Sequence, residues 1–152
     1  MITYHVESWT ETYQEMQPYW IEHWKEVGMH QDALPLNVDI QSYLELDRRG
    51  ILHTVTVRND GHIIGYHLSM IRRHLRYDVL GAFTDVYFLS PAYRKRLVGY
   101  RMFQFVETSL KAKGVRYLFT GTKLSLDMGR LFERLGWQEV ERLYVKLLPE
   151  ES

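Results

Sequence analysis

A run of basic residues carries the clearest chemical signal in the sequence. Residues 94–101 read Arg-Lys-Arg-Leu-Val-Gly-Tyr-Arg, with four basic side chains and no acidic one. The run stands between a strand-like and a helix-like segment, and backbone amides at a helix N-terminus attract anions. Gly99 would let a phosphate approach the backbone closely. The run predicts a diphosphate site, and a solvated basic turn is the alternative that these residues leave open.

Candidates for proton transfer lie on the segment that leads into this run. With the two-residue period of a strand, Asp85, Tyr87 and Leu89 are predicted to share one face. Asp85 could act as a base through a water molecule, and Tyr87 could orient a substrate or act as an acid. His67, on the preceding strand, is a third candidate because an ordinary histidine titrates near neutral pH. A capping carboxylate, a packed aromatic ring and a structural histidine are the respective alternatives.

The composition limits the chemistry further. The chain has 152 residues, 19 basic and 19 acidic side chains, and no cysteine. A disulfide framework, a thiolate zinc cage and a cysteine nucleophile are therefore excluded. No His-Glu-x-x-His motif occurs, and we expect no metal site. Neutral net charge argues against nucleic acid as a partner, although modification or binding of nucleic acid through the basic clusters remains a weaker hypothesis.

The first half of the chain predicts a strand, two helices and a hairpin. Aromatic and apolar residues at spacings of three and four place a helix over 9–27, with a capping box at Ser8 and Glu11 and a kink or restart near Pro18. A second helix begins at Asn37 or Asp39 and ends at Gly50. Two alternating runs, 51–58 and 63–71, flank Asp60-Gly61 and predict a β-hairpin.

The second half alternates strands with helices. We expect strands at 82–89, 115–120 and 137–148, and helices that contain residues 102–110 and 125–135. Because the alternation follows an antiparallel hairpin, the sequence predicts one α/β domain over residues 1–152. Its central sheet is expected to be mixed, mostly antiparallel and flanked by helices.

Two segments resemble a known family. Residues 90–99, Ser-Pro-Ala-Tyr-Arg-Lys-Arg-Leu-Val-Gly, are similar to the coenzyme A pyrophosphate loop of GNAT N-acetyltransferases, whose pattern is Arg/Gln-x-x-Gly-x-Gly/Ala. Arg94, Leu97 and Gly99 fall on the three fixed positions. Residues 132–137, Phe-Glu-Arg-Leu-Gly-Trp, resemble the end of the family's last conserved helix. The order of elements also agrees over nearly the whole chain, which has the look of the compact GNAT proteins of tailed phages.

The resemblance implies an acetyl-CoA-dependent N-acetyltransferase that transfers acetyl directly to an amine. The strand 85–89 would separate from the strand 115–120, and the pantetheine arm would enter the gap between them. The amides of residues 96–100 would hold the pyrophosphate, and the backbone of two strand residues would hold the arm. The implied cofactor-binding residues are Phe88, Leu89, Arg94, Lys95, Arg96, Leu97, Val98, Gly99, Tyr100, Ser125 and Phe132.

Three positions depart from the family pattern. Leu97 replaces a glycine, Ser125 replaces an asparagine, and Phe132 replaces the tyrosine that often acts as the general acid. These departures motivate the alternative of a non-catalytic GNAT-fold module that binds a protein. The acceptor could be a small molecule, a peptide or a protein, and exposed aromatic residues of the first helix could form a homodimer contact.

Targeting signals are not visible in the sequence. The start, Met-Ile-Thr-Tyr-His-Val, has neither a basic nor an apolar leader region, and no apolar run reaches the roughly 20 residues of a transmembrane helix. A cytoplasmic location without membrane contact is the resulting prediction.

Overall fold

The computed structural model describes residues 1–151 as five strands and four α-helices. The strands are β1 (Ile2–Val6), β2 (Leu52–Asn59), β3 (His62–His74), β4 (Val79–Leu89) and β5 (Tyr117–Phe119). The helices are α1 (Trp9–Val27), α2 (Ile40–Arg48), α3 (Val98–Ala112) and α4 (Gly129–Arg134), with a 3-10 turn at Pro91–Tyr93. The spatial order of the strands follows the chain, β1 to β4 are antiparallel, and β5 joins β4 in parallel.

Helices cover both faces of this sheet. On one face, α1 and α2 pack over a core that contains Trp9, Met16, Tyr66 and Phe88. On the other face, α3 and α4 pack over two clusters built from residues of β2, β3, β4 and the helices, including Val57, Leu89, Phe103, Phe132, Val55 and Val106. The predicted single α/β domain with a mixed, mostly antiparallel sheet is confirmed.

The turn between β2 and β3 has the conformation that its two residues, Asp60 and Gly61, predict. Asn59 pairs with His62, so the loop has two residues, Asp60 and Gly61, with φ values of 49° and 87°. A two-residue turn with both φ values positive matches the right-handed twist of the strands, and Asp-Gly tolerates it well. The predicted hairpin is therefore confirmed, and the turn sets the pairing of β2 and β3 up to a register shift between Val57 and Arg58.

The first helix differs from the prediction in two ways. It runs without interruption from Trp9 to Val27 and includes Pro18, so of the predicted kink or restart near residue 17 the restart is wrong. The aromatic residues on both sides of Pro18 pack on the same core, which stabilises one helix across the missing hydrogen bond. The capping box is also wrong, because the Ser8 hydroxyl donates to Asp47 in α2 at 2.8 Å instead of capping α1.

The last third of the chain is less regular than predicted. The helix predicted over 125–135 begins at Gly129, because Asp127 accepts the amide of Gly129 at 2.8 Å and Thr122 accepts the amide of Met128 at 2.6 Å. Ser125 consequently lies in a loop. The strand predicted over 137–148 is wrong, since residues 137–151 contain no helix or strand.

Two histidines are buried in the sheet and make the stability depend on pH. Burial lowers the pKa of His53 to about 4 and that of His67 to about 3. The unfolded chain binds these protons below about pH 6.5, whereas the folded chain does not. The stabilisation is complete above pH 6.5 and falls as the pH falls toward 4, by roughly 1.4 kcal/mol per pH unit for each proton.

We therefore expect the free energy of unfolding to decrease between pH 6.5 and about pH 5, where most carboxylates stay ionised. Urea unfolding across this window measures the slope, and a His53→Gln/His67→Gln variant serves as the comparison. A wild-type free energy that stays level over the window would contradict the buried, neutral state of both rings.

The described residues contain neither a membrane-spanning helix nor a cluster of metal-binding side chains. Within residues 1–151, no helix combines the length and apolarity that crossing a bilayer requires. The same residues contain no group of three or more histidine, aspartate or glutamate side chains arranged to hold a metal ion.

Candidate active site

The sheet opens where β4 and β5 part. These strands pair only over Gly81–Phe83 and Tyr117–Phe119, whereas β4 continues to Leu89. Beyond Phe83, the edge of β4 that faces away from β3 has no partner among the described residues. Alternate backbone groups of this edge are therefore open to a ligand.

A β-bulge at Asp85 changes which side chains face which helix layer. Leu68 pairs with Val86 and Ser69 pairs with Thr84, so Asp85 is the extra residue. The bulge reverses the alternation along β4. The Asp85 carboxylate accepts a hydrogen bond from Tyr43 of α2 at 2.5 Å, whereas Tyr87 packs against Phe103 of α3. The prediction that Asp85 and Tyr87 share one face is therefore wrong.

A cleft of about 1270 Å³ begins at this opening. Its walls are the end of β4, the loop and first turn at residues 94–100, the segment around residues 121–131, and part of the C-terminal segment. Of the predicted site residues, the cleft brings together Asp85, Tyr87, Phe88, Leu89, Arg94, Lys95, Arg96, Leu97, Val98, Gly99, Tyr100 and Ser125. Phe132 and His67 do not line it.

The basic loop, residues 94–100, has the backbone form of an anion site. Arg96 and Leu97 have φ values of 55° and 65°, which turns successive amides toward one side ahead of α3. Within residues 1–151, the amides of Arg96, Leu97, Gly99 and Tyr100 donate to no protein acceptor. Such a concave set of free amides at a helix N-terminus binds phosphate groups. The side chains of Lys95 and Arg96 are exposed beside it.

Unlike those of Lys95 and Arg96, the side chain of Arg94 makes hydrogen bonds to other parts of the protein. Its guanidinium binds both carboxylate oxygens of Glu26 at 2.6 and 2.7 Å, and its Nε donates to the carbonyl of Leu89 at 2.7 Å. The hydrogen bonds from Arg94 hold the pKa of Glu26 below its ordinary value. Arg94 therefore fastens the basic loop to α1 and to the end of β4, and its charge is already paired.

A second, smaller cavity of about 240 Å³ adjoins the cleft on the α1 side. We call it the aromatic pocket because its walls include Trp9, Trp20, Trp24, Tyr43 and Tyr66. The two cavities share four lining residues, which are His23, Val27, Gly28 and Val86. These shared residues form the junction between the two cavities.

Asp85 stands at this junction with two residues that the sequence reasoning missed. Tyr43 of α2 donates to Asp85, and its burial, followed by the hydrogen bond to Asp85, raises its pKa above the ordinary value. His23 lines both cavities, and burial lowers its pKa, so the ring is a neutral acceptor. No spacing in the sequence signals either role.

Tyr87 lies on the opposite wall of the cleft, next to Phe132, which occupies the position where the family pattern has a tyrosine. Its ring meets that of Phe132 edge-on with centroids 6.0 Å apart, and its hydroxyl donates to the carbonyl of Gly121 at 2.8 Å. Burial raises the pKa of Tyr87, which keeps the hydroxyl protonated as a donor. Phe132 itself is buried among Phe103 and Trp137.

His67 lies away from these groups. Its side chain is buried on the α3 side of the sheet, where it contacts the ring of Phe103 edge-on and lies 3.3 Å from the hydroxyl of Thr84. Burial lowers its pKa to about 3. We therefore leave His67 out of the proposed catalytic groups.

The family of the chain follows from a match between its sequence and a family model. Residues 9–137 match the model of the acetyltransferase (GNAT) family. The chain belongs to this family. No curated protein sequence matches the GNAT chain closely enough to add an activity.

Solved structures agree on the fold. A ribosomal-protein-alanine N-acetyltransferase from Brucella melitensis biovar Abortus 2308 superposes with a TM-score of 0.75 at 11% identity, over 98% of this chain and 100% of that one. An aminoglycoside acetyltransferase from an uncultured soil metagenomic sample gives 0.76 at 14% identity, over 99% of both chains. A predicted acetyltransferase from Clostridium acetobutylicum, crystallised with acetyl-CoA, gives 0.71 at 11%, over 97% and 96%.

Leu97 occupies a glycine position of the GNAT pattern, and its backbone conformation should lower the free energy of unfolding. Leu97 adopts the left-handed conformation that the glycine of the pattern adopts without strain, and its side chain is 52% exposed. We expect Leu97→Gly to raise the free energy of unfolding by about 0.5–1 kcal/mol, because relief of strain exceeds the added entropy of the unfolded chain. Chemical denaturation measures the change.

Leu75 provides the matched control for this substitution. It is a 97% exposed loop leucine without a positive φ, so Leu75→Gly should lower stability slightly. A loss of stability of the same size in both variants would show that position 97 carries no backbone strain.

Proposed function

We propose that this GNAT protein is an acetyl-CoA-dependent N-acetyltransferase that acetylates a primary amine directly. The observation that carries the proposal is the continuity of the cleft, which runs from the open edge of β4 at residues 84–89 to the free amides of the basic loop. An extended ligand with a diphosphate at one end and a neutral arm at the other matches this arrangement. A cytoplasmic location stays a prediction from the sequence.

The residues at the diphosphate end fit such a ligand. The free amides of Arg96, Leu97, Gly99 and Tyr100 supply donors, and the side chain of Lys95 adds positive charge. A Cβ at Gly99 would meet Leu131 and Leu89 at 3.7 and 3.8 Å, which are ordinary contact distances, so neighbouring side chains do not crowd the backbone at this residue. Open β4 backbone at Phe88 and Leu89 would hold the arm.

The proposed reaction at the junction combines transfer of the acetyl group with two proton transfers, one from the acceptor amine and one to the leaving thiolate. Acetyl-CoA, when bound, supplies a thioester whose carbonyl carbon receives the amine nitrogen as the carbon–sulfur bond breaks. Asp85, oriented by the Tyr43 hydroxyl, takes the proton that the acceptor ammonium must lose, directly or through water. Tyr87 gives its proton to the departing thiolate, the role that Phe132 cannot perform. The nitrogen loses its second proton as the amide forms, which restores the Tyr87 hydroxyl, and Asp85 releases the first proton to solvent. The products are an amide, a free thiol and one proton.

Calorimetry and thiol release together test the proposed function. Titration with acetyl-CoA should show binding with micromolar affinity, and a thiol reagent should show CoA release that depends on an amine. Absence of binding at millimolar acetyl-CoA would overturn the proposal. Binding without release over a broad amine panel would instead support the non-catalytic module, which Phe132 and Leu97 favour.

The assigned acid can be tested with Tyr87→Phe. We expect kcat to fall by about 10- to 100-fold, less than the 10²- to 10⁴-fold usual for general acid catalysis, because a thiolate leaves more readily than an alkoxide. Steady-state thiol release measures the change. Tyr19→Phe is the matched control, since the Tyr19 hydroxyl also donates to a carbonyl, that of Ile63 at 2.7 Å, but lies outside the cleft. Equal kcat values in wild type and Tyr87→Phe would remove Tyr87 from the mechanism.

A further inference from the structure

One wall of the aromatic pocket is a stack of aromatic rings. Trp9 stacks on Tyr43 at a centroid distance of 4.9 Å and an interplanar angle of 20°, and on Trp20 at 6.2 Å and 7°. Trp9 is 1% exposed, so it lies inside the stack and holds the rings of Tyr43 and Trp20 in place. A rigid aromatic wall favours a planar ring that packs against it.

The size of the aromatic pocket limits its occupant. A buried cavity of about 150 Å³ holds benzene. The pocket measures about 240 Å³, which leaves room for one ring system and a short aliphatic arm. Since Val86 and His23 belong to both cavities, that arm would lead toward Asp85 in the cleft.

The charges of the two cavities argue against a polycation or a phosphorylated sugar. Among the described residues that line them, Asp85 is the one carboxylate. A single carboxylate matches a single ammonium. The cations that line the cleft belong to residues 94–96 and 123–134, and none lines the aromatic pocket. A second ammonium would therefore find no anion, and a phosphate in the pocket would find no cation.

We propose that the acceptor is a compact arylalkyl monoamine whose ring occupies the aromatic pocket and whose nitrogen lies beside Asp85. This inference rests on the proposed acetyltransferase function and adds the substrate class to it. His23, neutral at the junction and 5.4 Å from the Phe88 ring, forms the wall along which the arm passes.

A panel of amines tests the substrate class. With acetyl-CoA saturating, kcat/KM should be about 10- to 100-fold higher for 2-phenylethylamine and tryptamine than for ethylamine, because a buried aromatic ring gains about 1.5–3 kcal/mol. Spermidine and an aminoglycoside should be poor acceptors. Equal or better use of ethylamine, spermidine or the aminoglycoside would overturn the class, as would no acetylation of any arylalkyl amine by protein that binds acetyl-CoA.

A substitution in the aromatic pocket tests the proposed substrate class independently of the proposed acetyltransferase function. Trp24→Ala should lower kcat/KM for 2-phenylethylamine by about 10-fold or more and leave the affinity for acetyl-CoA unchanged, since Trp24 lines only the aromatic pocket. Tyr77→Ala, at a 58% exposed ring outside both cavities, is the matched control. Failure of acetyl-CoA to bind wild type would overturn the proposed function itself.

Discussion

Gly99→Pro is expected to weaken acetyl-CoA binding by about 100-fold, because it removes one free amide and places a ring in front of the others. Gly99 is the second residue of α3, and its amide donates to no protein acceptor within residues 1–151. Proline is tolerated in the first turn of a helix, so the fold should survive. Isothermal titration with acetyl-CoA measures the loss.

Gln41→Pro is the matched control for this result. Gln41 is the second residue of α2, is exposed, and lies outside both cavities. Proline at position 41 therefore imposes the same backbone restriction on a helix that does not line the cleft. The affinity of this variant for acetyl-CoA should equal that of wild type. Unchanged affinity in Gly99→Pro would mean that the diphosphate does not bind at the basic loop.

Asp85→Asn is expected to lower kcat by about 10²- to 10⁴-fold, the usual effect of removing a general base. The amide oxygen of asparagine can still accept the hydrogen bond from Tyr43, so the geometry of the bulge should persist. Acetyl-CoA affinity should not change, which separates a lost proton acceptor from a misfolded site.

Asp78→Asn controls for the loss of a negative charge in general. Asp78 pairs with Arg73 at 2.7 Å and is exposed at the turn that precedes β4. Its kcat should match that of wild type. A wild-type rate in Asp85→Asn would reject Asp85 as the base and leave His23, the neutral acceptor that lines the same junction, as the group to substitute next.

The sequence predicted those features that depend on local pattern. Asp60-Gly61 predicted a two-residue turn because few residues tolerate positive φ, and the spacing of Trp9, Met16 and Trp20 predicted one buried helix face. The basic run and Gly99 likewise indicated the loop that carries the free amides. In each case neighbouring residues determine the local structure.

Other features depend on contacts between distant segments and were not predictable. The bulge at Asp85 follows from the register between β3 and β4, and a strict two-residue period placed Asp85 and Tyr87 on one face. Ser8 binds Asp47, 39 positions away, and so does not cap its own helix. The junction of Tyr43, His23 and Asp85 joins α2, α1 and β4, which no spacing along the chain reveals.

The contact between Arg94 and Glu26 has a consequence for how the two cavities act together. The last turns of α1 carry Glu26 to the basic loop and Trp24 to the aromatic pocket, so one short stretch of helix borders both binding sites. Under the proposed function, a shift of this stretch on binding of one ligand would change the free energy of binding of the other. Thermodynamic linkage would make such a coupling reciprocal, so that each ligand changed the affinity for its companion by the same factor.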